Sequence, residues 1–287
     1  MSSYRVSVNS LVAFTARGGD LDLRFTPAPS AIEGIAGHQI IRQRRRANYE
    51  SEVRLNGHYP GLEVSGRADG YDPDTNTLEE IKTHRSDLSR IPENQRAVHW
   101  AQAKLYGWML CQARGLSTIN IAVVYFNILS GEETSAPVCY SAKQLQSFFN
   151  LHSEKFLSWA EQETAHRERR NTSLEAMPFP HATYRTGQRD LAEKVFLAVR
   201  GEQALLAQAT TGIGKTLATI FPQLKAMGDG KIDRLFFLTA KTPGRQLALD
   251  AIETLRLACY DLQLRVLEHV ARDKACVYPD RACHGES

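Results

Sequence analysis

Apolar and polar positions in the first half of the chain follow two different periods. Period-two alternation over residues 62–71 and 77–83, separated by a turn-forming cluster at 72–76, predicts a β-hairpin. Apolar side chains at helical spacing over residues 94–113 predict an amphipathic helix. Further predicted elements are a helix at 31–47, a strand at 119–126 and a long helix that Ser141 caps. We therefore expect a mixed α/β domain here.

The second half has a more regular pattern, in which short apolar runs alternate with helical segments. Strands are predicted at 203–208, 234–239 and 262–267. They alternate with helices that are predicted near 187–200, after residue 216 to about 227, and at 243–258. Such alternation is typical of a parallel sheet covered by helices. A charged and then proline-containing stretch separates the halves. We expect a first domain at residues 1–165, a linker at 166–183 and a second domain at 184–287.

The composition narrows the class of protein without identifying it. The chain has 287 residues, a formal net charge of +3 and 43% hydrophobic residues, which are values of an ordinary globular protein. It has no apolar run long enough for a transmembrane helix, and its first residues lack the features of a secretory signal. A cytoplasmic protein without a membrane partner is therefore expected. Because the net charge is small, a nucleic-acid surface would have to be local, as at the basic cluster 42–46.

The predicted hairpin carries residues suited to phosphodiester hydrolysis. Glu80 and Lys82 are two positions apart on one strand, so they face the same side of the sheet. Asp69, on the preceding strand, can lie opposite them. Carboxylate oxygens are the ligands that Mg²⁺ and Mn²⁺ prefer, and such a cation polarises a phosphodiester and lowers the pKa of its bound water. Lys82 would position that water or help to deprotonate it.

Residues on either side of the hairpin extend this set. His38 lies upstream after Gly37, and Gln102 and Tyr106 lie downstream, one helical turn apart. The ordered elements Gly37-His38, Gly66-x-x-Asp69, Glu80-Ile-Lys82 and Gln102-x-x-x-Tyr106 resemble the RecB-like branch of the PD-(D/E)XK nucleases. The resemblance implies a restriction-endonuclease-like mixed sheet, metal ligation by His38, Asp69 and Glu80, and catalysis by Lys82. It also implies that Gln102 and Tyr106 contact DNA or brace the active site.

Other interpretations of these residues stay open at this point. Glu79 replaces Glu80 if the strand register slips by one residue, although it then faces away from Lys82. His38 alone is compatible with a structural role, and Tyr106 with core packing. The basic cluster 42–46 fits either a solvated helix face or a surface that holds the DNA backbone.

A phosphate-binding loop is predicted where Ala209-Thr-Thr-Gly-Ile-Gly-Lys-Thr216 joins a predicted strand to a predicted helix. Backbone N–H groups of such a loop bind phosphates, and the helix N-terminus adds a favourable dipole. Lys215 is expected to reach the β- and γ-phosphates of ATP, and the Thr216 hydroxyl to ligate Mg²⁺. Thr211, Gly212 and Gly214 complete the predicted ATP-binding residues of the loop.

Four more residues accompany this loop. Arg185 and Gln188 lie upstream, where the Gln188 amide suits an adenine edge. Thr239 and Lys241 follow the next predicted strand, where they suit a DNA backbone. This order resembles the DinG/XPD group of superfamily 2 DNA helicases, which implies a partial RecA-like domain with a P-loop.

The resemblance extends to two cysteines near the end of the sequence. Cys276 and Cys283 stand where that group begins an iron–sulfur insertion, in which four cysteines hold a [4Fe–4S] cluster. The sequence has no Asp-Glu-x-His box, so we do not expect sustained ATP hydrolysis from this chain.

Together the two resemblances imply the N-terminal portion of an ATP-dependent DNA nuclease–helicase, as a fragment or as a truncated product. Its expected partners are single-stranded or forked DNA and ATP, in the bacterial nucleoid. One alternative is a DNA-binding module with a retired nuclease fold, and another is a plain nucleotide-binding switch. The sequence does not indicate an oligomeric state.

Overall fold

The computed structural model describes residues 4–18, 29–85, 87–240 and 242–271. These residues form two compact units, the first ending at Glu161 and the second beginning at Gln162. Helix α4 (Ala142–Ala176) runs through that point, so residues 166–176, inside the segment predicted as a linker, are helical. The domain boundaries at 165 and 184 stay a prediction.

The first unit combines strands and helices along the chain. In order it contains β1 (Tyr4–Ser7), α1 (Val8–Thr15), α2 (Ala31–Gln43), β2 (Glu50–Tyr59), β3 (Leu62–Asp72), β4 (Thr77–His84), a 3₁₀ turn (Leu88–Arg90), α3 (Glu93–Arg114), β5 (Thr118–Asn127), β6 (Glu133–Thr134), β7 (Val138–Ser141) and the first part of α4. The predicted hairpin is confirmed as β3 and β4, and α3 and β5 are also where the sequence predicts them. The sequence pattern did not predict β1, α1 or β2.

The strands form one mixed sheet around β3. Along one edge, β3 pairs antiparallel with β2. Along its other edge, β3 pairs parallel with β1 at residues 62–65 and antiparallel with β4 only at residues 70–72. Beyond β4 the sheet continues with β5, parallel to it, and then with β6 and β7. Residues 66–69 of β3 lie between the segments that pair with β1 and with β4, and on this edge they pair with no strand of the described chain. We call this opening in the sheet the fork.

Helices cover both faces of the sheet. The main core lies between one face and α1, α3 and the start of α4, where Leu11, Leu105 and Phe149 are fully buried. On the other face, Phe126 of β5 packs with Ile41 of α2. The first unit is therefore a mixed α/β structure with the fork in its sheet.

The second unit is helical in the described residues. It contains the end of α4, α5 (Gln188–Arg200), α6 (Lys215–Gly228) and α7 (Thr242–Ala258). Apolar side chains of α4, α6 and α7 form its main core, in which Leu174, Leu224 and Leu255 are buried. The segment predicted as a phosphate-binding loop directly precedes α6.

The strands predicted at 203–208, 234–239 and 262–267 are not formed, and that prediction is wrong for the structure. A strand needs a neighbour that satisfies its backbone N–H and C=O groups, whereas an apolar run in a sequence records only its side chains. No β-ladder includes these segments in the part of the chain that is described. Their apolar side chains are correspondingly exposed: Leu206 fully, Phe236 by 72% and Leu238 by 88%. The predicted parallel sheet is thus absent from the described residues.

Candidate active site

The fork in the sheet positions the first predicted carboxylate. The β3–β4 ladder stops at the pair Gly70–Glu79, one residue short of Asp69. The Asp69 side chain replaces the next ladder bond, because its Oδ2 accepts a hydrogen bond from the Ile81 N–H at 2.7 Å. The pairing of β3 with β2 also skips Asp69, opposite Glu52. Asp69 therefore stands at an interruption of the sheet on both of its edges.

A cavity of about 680 Å³ opens at this fork. Strands β3 and β4 and helices α2 and α3 all contribute to its wall. The predicted nuclease residues line it together: His38, Asp69, Glu80, Lys82, Gln102 and Tyr106. The fold thus brings together six side chains that are spread over almost seventy residues of sequence.

Glu80 and Lys82 form an ion pair in the cavity. Lys82 Nζ lies 2.7 Å from Glu80 Oε1 and 3.0 Å from Gln102 Oε1. Glu80 is buried, and its second oxygen, Oε2, has no hydrogen-bond partner. Burial raises the pKa of Glu80 to about 7, an effect that the Lys82 ammonium opposes and the Asp69 charge reinforces. The carboxylate is therefore close to the balance between its two protonation states at neutral pH.

His38 reaches the site because α2 approaches β4 closely. Its Nδ1 lies 3.3 Å from Asp69 Oδ1. A Cβ at the preceding Gly37 would lie 2.5 Å from Thr83 Cγ2, so only glycine permits this approach of the helix to the strand. Helix α2 begins at a capping box, in which Ser30 and Glu33 bond to each other's backbone N–H groups.

The Gln102 and Tyr106 side chains brace the site from α3. The Tyr106 hydroxyl hydrogen bonds with the Gln102 side chain and with the Arg67 backbone, while Gln102 also holds Lys82. The Tyr106 ring lies against β3 at Gly66, where a Cβ would come within 2.7 Å of it. Burial raises the pKa of Tyr106 to about 12, so the hydroxyl stays protonated. Tyr106 is buried, and it also lines the cavity.

Glu79 lies on the opposite face of β4 from Glu80. Its carboxylate accepts hydrogen bonds from Arg45 Nε at 2.8 Å and from the Tyr49 hydroxyl at 2.9 Å. Burial and the Glu79 charge raise the pKa of Tyr49. This placement does not support the alternative in which Glu79 takes the place of Glu80.

Sequence reasoning missed His99, which also lines the cavity. One of its ring nitrogens lies 3.2 Å from the Tyr125 hydroxyl. Burial, reinforced by the positive charge of Lys82, lowers the pKa of His99 to about 3, so the imidazole is neutral near pH 7. The helical spacing of His99, Gln102 and Tyr106 on one face of α3 is the signal that would have found it.

The donor chemistry of this site fits a hard divalent cation, although its ligands do not form a compact triad. Among the described residues, no three His, Cys, Asp or Glu side chains are grouped closely enough to hold a metal ion. Each carboxylate nevertheless has one oxygen engaged, by Lys82 or by the Ile81 N–H, and a second oxygen outside that bond. The buried Glu80 Oε2, with no hydrogen-bond partner, is the atom that a cation would satisfy.

The second unit holds the predicted phosphate loop. Gly212 and Gly214 have φ values of 88° and 78°, which glycine adopts without strain. Lys215 Nζ lies back over the loop, donating to the carbonyls of Ala209 at 3.2 Å and Thr210 at 2.7 Å. Thr211 is exposed and Thr216 is half-buried. The loop is therefore closed on itself by its own lysine.

Gln188 and Arg185 brace this loop. Gln188 is buried; its Nε2 donates to the Gly214 carbonyl at 3.3 Å, and its Oε1 accepts from the Arg185 N–H at 3.0 Å. Arg185 Nη1 donates to the Gly212 carbonyl at 2.7 Å. Because both the oxygen and the nitrogen of the Gln188 amide form hydrogen bonds with the backbone, this side chain supports the loop in the structure.

The remaining predicted residues belong to the end of the chain. Thr239 lies in the segment before α7. Lys241, Cys276 and Cys283 lie outside the described residues. No described helix is both long and apolar enough to span a bilayer.

Comparison with known proteins yields matches to solved structures alone. No family model and no curated protein matches the chain. The protein SSO0001 is 20% identical, with 55% of this chain and 78% of that chain covered and a TM-score of 0.37. An exonuclease candidate from Eubacterium rectale is 16% identical, with 45% and 50% covered and a TM-score of 0.32. A phage-related exonuclease from Haemophilus somnus 129PT is 14% identical, with 53% and 83% covered and a TM-score of 0.27.

Proposed function

We propose that the first unit is a metal-dependent DNA nuclease, with the reacting phosphodiester bound in the cavity at the fork. The observation that carries this proposal is the pair of buried Glu80 and half-buried Lys82, in which the carboxylate keeps one oxygen without a hydrogen-bond partner. A buried carboxylate with an unsatisfied oxygen is costly, so it is expected where a cation or substrate completes its bonding. The ordered motif elements and their convergence on one cavity support the same proposal.

Each residue has a separate task in the proposed reaction. His38, Asp69 and Glu80 would hold Mg²⁺ or Mn²⁺, which supplies Lewis-acid polarisation of the phosphodiester and a water of lowered pKa. Lys82, fixed between Glu80 and Gln102, orients the attacking water and offsets the charge that develops on the phosphate oxygens.

The first test is a nuclease assay on the purified chain without ATP. End-labelled single- and double-stranded DNA is incubated with Mg²⁺, with Mn²⁺ or with chelator. Lys82→Ala is compared with Lys143→Ala, which makes the same charge change at an exposed position of α4 outside the cavity. We expect metal-dependent cutting that Lys82→Ala abolishes and Lys143→Ala preserves. Binding of DNA without cutting under any metal would instead favour the DNA-binding module.

A second proposed activity is ATP binding at the loop of the second unit. The support is the closed loop before α6, which Arg185 and Gln188 brace and in which the Lys215 ammonium donates to loop carbonyls. The oxygens of a triphosphate would replace those carbonyls as acceptors of the Lys215 hydrogen bonds. Binding of a fluorescent ATP analogue tests it. We expect Lys215→Ala to abolish binding and Lys231→Ala, an exposed lysine after α6, to leave it unchanged. Equal binding by both variants would overturn this assignment.

The combined function we propose is cleavage coupled to ATP-driven translocation on single-stranded DNA. The support is the helicase-like order of Gln188, the phosphate loop and Thr239. The rate and pattern of cleavage with and without ATP test it in a protein that joins this chain to a complete pair of helicase lobes. An ATP-independent pattern in that extended protein would contradict coupling and leave the nuclease proposal intact.

A further inference from the structure

Two arginines at the cavity share one carboxylate. The Glu52 side chain forms ion pairs with Arg42 Nη2 and with Arg67 Nε. All three residues line the cavity at the fork. They come from α2, β2 and β3, so the tertiary fold assembles this arginine pair and its carboxylate beside the candidate active site.

Glu52 occupies an unusual backbone position. Its φ is 58°, in the left-handed region that residues other than glycine rarely adopt. It stands opposite Asp69, where the β2–β3 pairing is interrupted. Such strained positions cost of order 1–3 kcal/mol and concentrate at functional sites. The interruption of the sheet therefore places Glu52, which holds the arginine pair, opposite Asp69, a proposed metal ligand.

The arginines keep hydrogen-bonding capacity that the protein does not use. A guanidinium has five N–H donors, and the Arg42 Nε is buried with no hydrogen-bond partner. With Glu52, the two arginines have a formal charge of +1. Asp69 and Glu80 line the same cavity and would repel a polyanion, so a phosphate entering it needs a compensating cationic surface close by.

We propose that Arg42 and Arg67 bind a backbone phosphate that flanks the reacting phosphodiester, with Glu52 as the positioning residue that holds both guanidiniums before the strand arrives. A planar guanidinium suits this ligand because its paired donors match two phosphate oxygens. The position of this phosphate next to the cleavage point rests on the proposed nuclease function. Phosphate binding itself does not require cleavage.

DNA binding is measured in the presence of chelator, because metal-dependent cleavage does not take place under that condition. Anisotropy of a labelled single-stranded oligonucleotide is measured on the full chain over a range of salt concentrations. Loss of one phosphate contact should reduce the slope of log Kobs against log[salt] by about 0.7 for a single strand. We expect that reduction in Arg67→Ala and in Arg42→Ala. Arg114→Ala is the matched control, because this arginine also pairs with a glutamate, Glu50, but lies outside the cavity.

Glu52→Gln gives a result of opposite sign. Removing the negative charge while keeping one hydrogen-bond acceptor leaves both arginines fully available, so binding should become tighter at low salt and its salt slope steeper. A simple structural role predicts no such gain. Thermal unfolding of each variant identifies loss of fold, and Arg67, the more exposed of the pair, keeps the test valid if Arg42→Ala does not fold.

The proposal is overturned if folded Arg67→Ala and Glu52→Gln both retain the wild-type salt slope. If the slopes change as expected but no metal supports cleavage, the phosphate site stands and the nuclease proposal fails. Oligonucleotides with and without a 5′-phosphate distinguish the two sources of the ligand: equal affinity supports a backbone phosphate, and binding that requires the terminal phosphate overturns the flanking position.

Discussion

The Asp69 carboxylate accepts the Ile81 N–H at 2.7 Å, where the β3–β4 ladder ends. Its other oxygen lies 3.3 Å from His38 Nδ1, on the cavity. One side chain therefore closes the backbone bonding of a strand and contributes to the candidate metal site. These two tasks can be separated by mutation.

Asp69→Asn and Asp69→Ala should differ in stability and agree in activity. The asparagine keeps an oxygen that accepts the Ile81 N–H, whereas alanine leaves this donor unsatisfied at a cost of about 1–3 kcal/mol. Both remove the proposed metal-binding charge, so both should lose cleavage. Urea unfolding and the nuclease assay measure the two effects. Equal stability of the two variants would contradict the structural role of the hydrogen bond to Ile81. Cleavage by either variant would contradict the proposed role of Asp69 in metal binding.

Glu80→Gln should stabilise the protein at alkaline pH when no metal is present. The pKa of Glu80 rises from its ordinary 4.5 to about 7, so the folded state holds its proton up to a higher pH than the unfolded state does. Its contribution is complete below pH 4.5 and is lost as the pH rises through about 7, a change of about 3 kcal/mol. Glutamine removes this loss.

The measurement is the free energy of unfolding in urea with chelator, from pH 5 to pH 8. His99 changes stability in the opposite direction, because its lowered pKa makes the folded state less stable as the pH falls below 6.5. The difference between wild type and Glu80→Gln cancels that contribution. Glu154→Gln, at an exposed position of α4, is the control. If the difference in unfolding free energy between wild type and Glu80→Gln does not change with pH, the pKa of Glu80 is not raised in the folded state.

Gly37→Ala and Gly34→Ala, in the same helix, should shift stability in opposite directions. At Gly37 the new Cβ would lie 2.5 Å from Thr83 Cγ2 and 3.2 Å from the Phe126 ring, so the helix must move, at a cost of about 1–3 kcal/mol. At Gly34 its nearest neighbour is 3.7 Å away, and alanine favours the helix by up to about 1 kcal/mol. Thermal unfolding tests the pair.

The Gly37→Ala variant should also lose cleavage, because the displaced helix carries His38. Full activity of a destabilised Gly37→Ala would show that the position of His38 is unimportant for the reaction.

Tyr106→Phe should reduce cleavage by about fivefold with little loss of fold. The ring remains against Gly66, but the hydroxyl that bonds to Gln102 and the Arg67 backbone is lost. One such hydrogen bond contributes about 1 kcal/mol, and 1.4 kcal/mol is a factor of ten in rate. The nuclease rate at saturating metal measures the effect. Tyr260→Phe, at a residue 99% exposed, is the control and should match wild type.

The sequence predicted best what depends on local periodicity. The β3–β4 hairpin and the same-face placement of Glu80 and Lys82 follow from the period of two, and the structure has both. It did not predict the fork, because that opening depends on β1 and β4 sharing one edge of β3 over distant parts of the sequence. Glu52 was missed for the same reason: neither its left-handed φ nor its arginine partners leave a local pattern.

In the second unit, the local sequence pattern predicted the helices but not the absence of strands. Its helices follow the predicted positions, since helices satisfy their own backbone bonds. The predicted strands depend on partners that a local pattern cannot specify, and Leu206 and Phe236 are exposed in segments without a ladder. Gln188 shows the same difficulty at the scale of one side chain: its amide suits a ligand in the sequence and binds Gly214 in the structure.

The opening in the sheet is shaped by main chain, with β1 and β4 parting from one edge of β3. Its width is therefore set by strand pairing rather than by the groups that react. A double variant such as Asp69→Asn with Lys82→Ala should keep this cleft while carrying no chemistry. This variant is expected to bind a DNA strand without cutting it, so it is suited to determining the structure of the DNA complex by crystallography or cryo-electron microscopy.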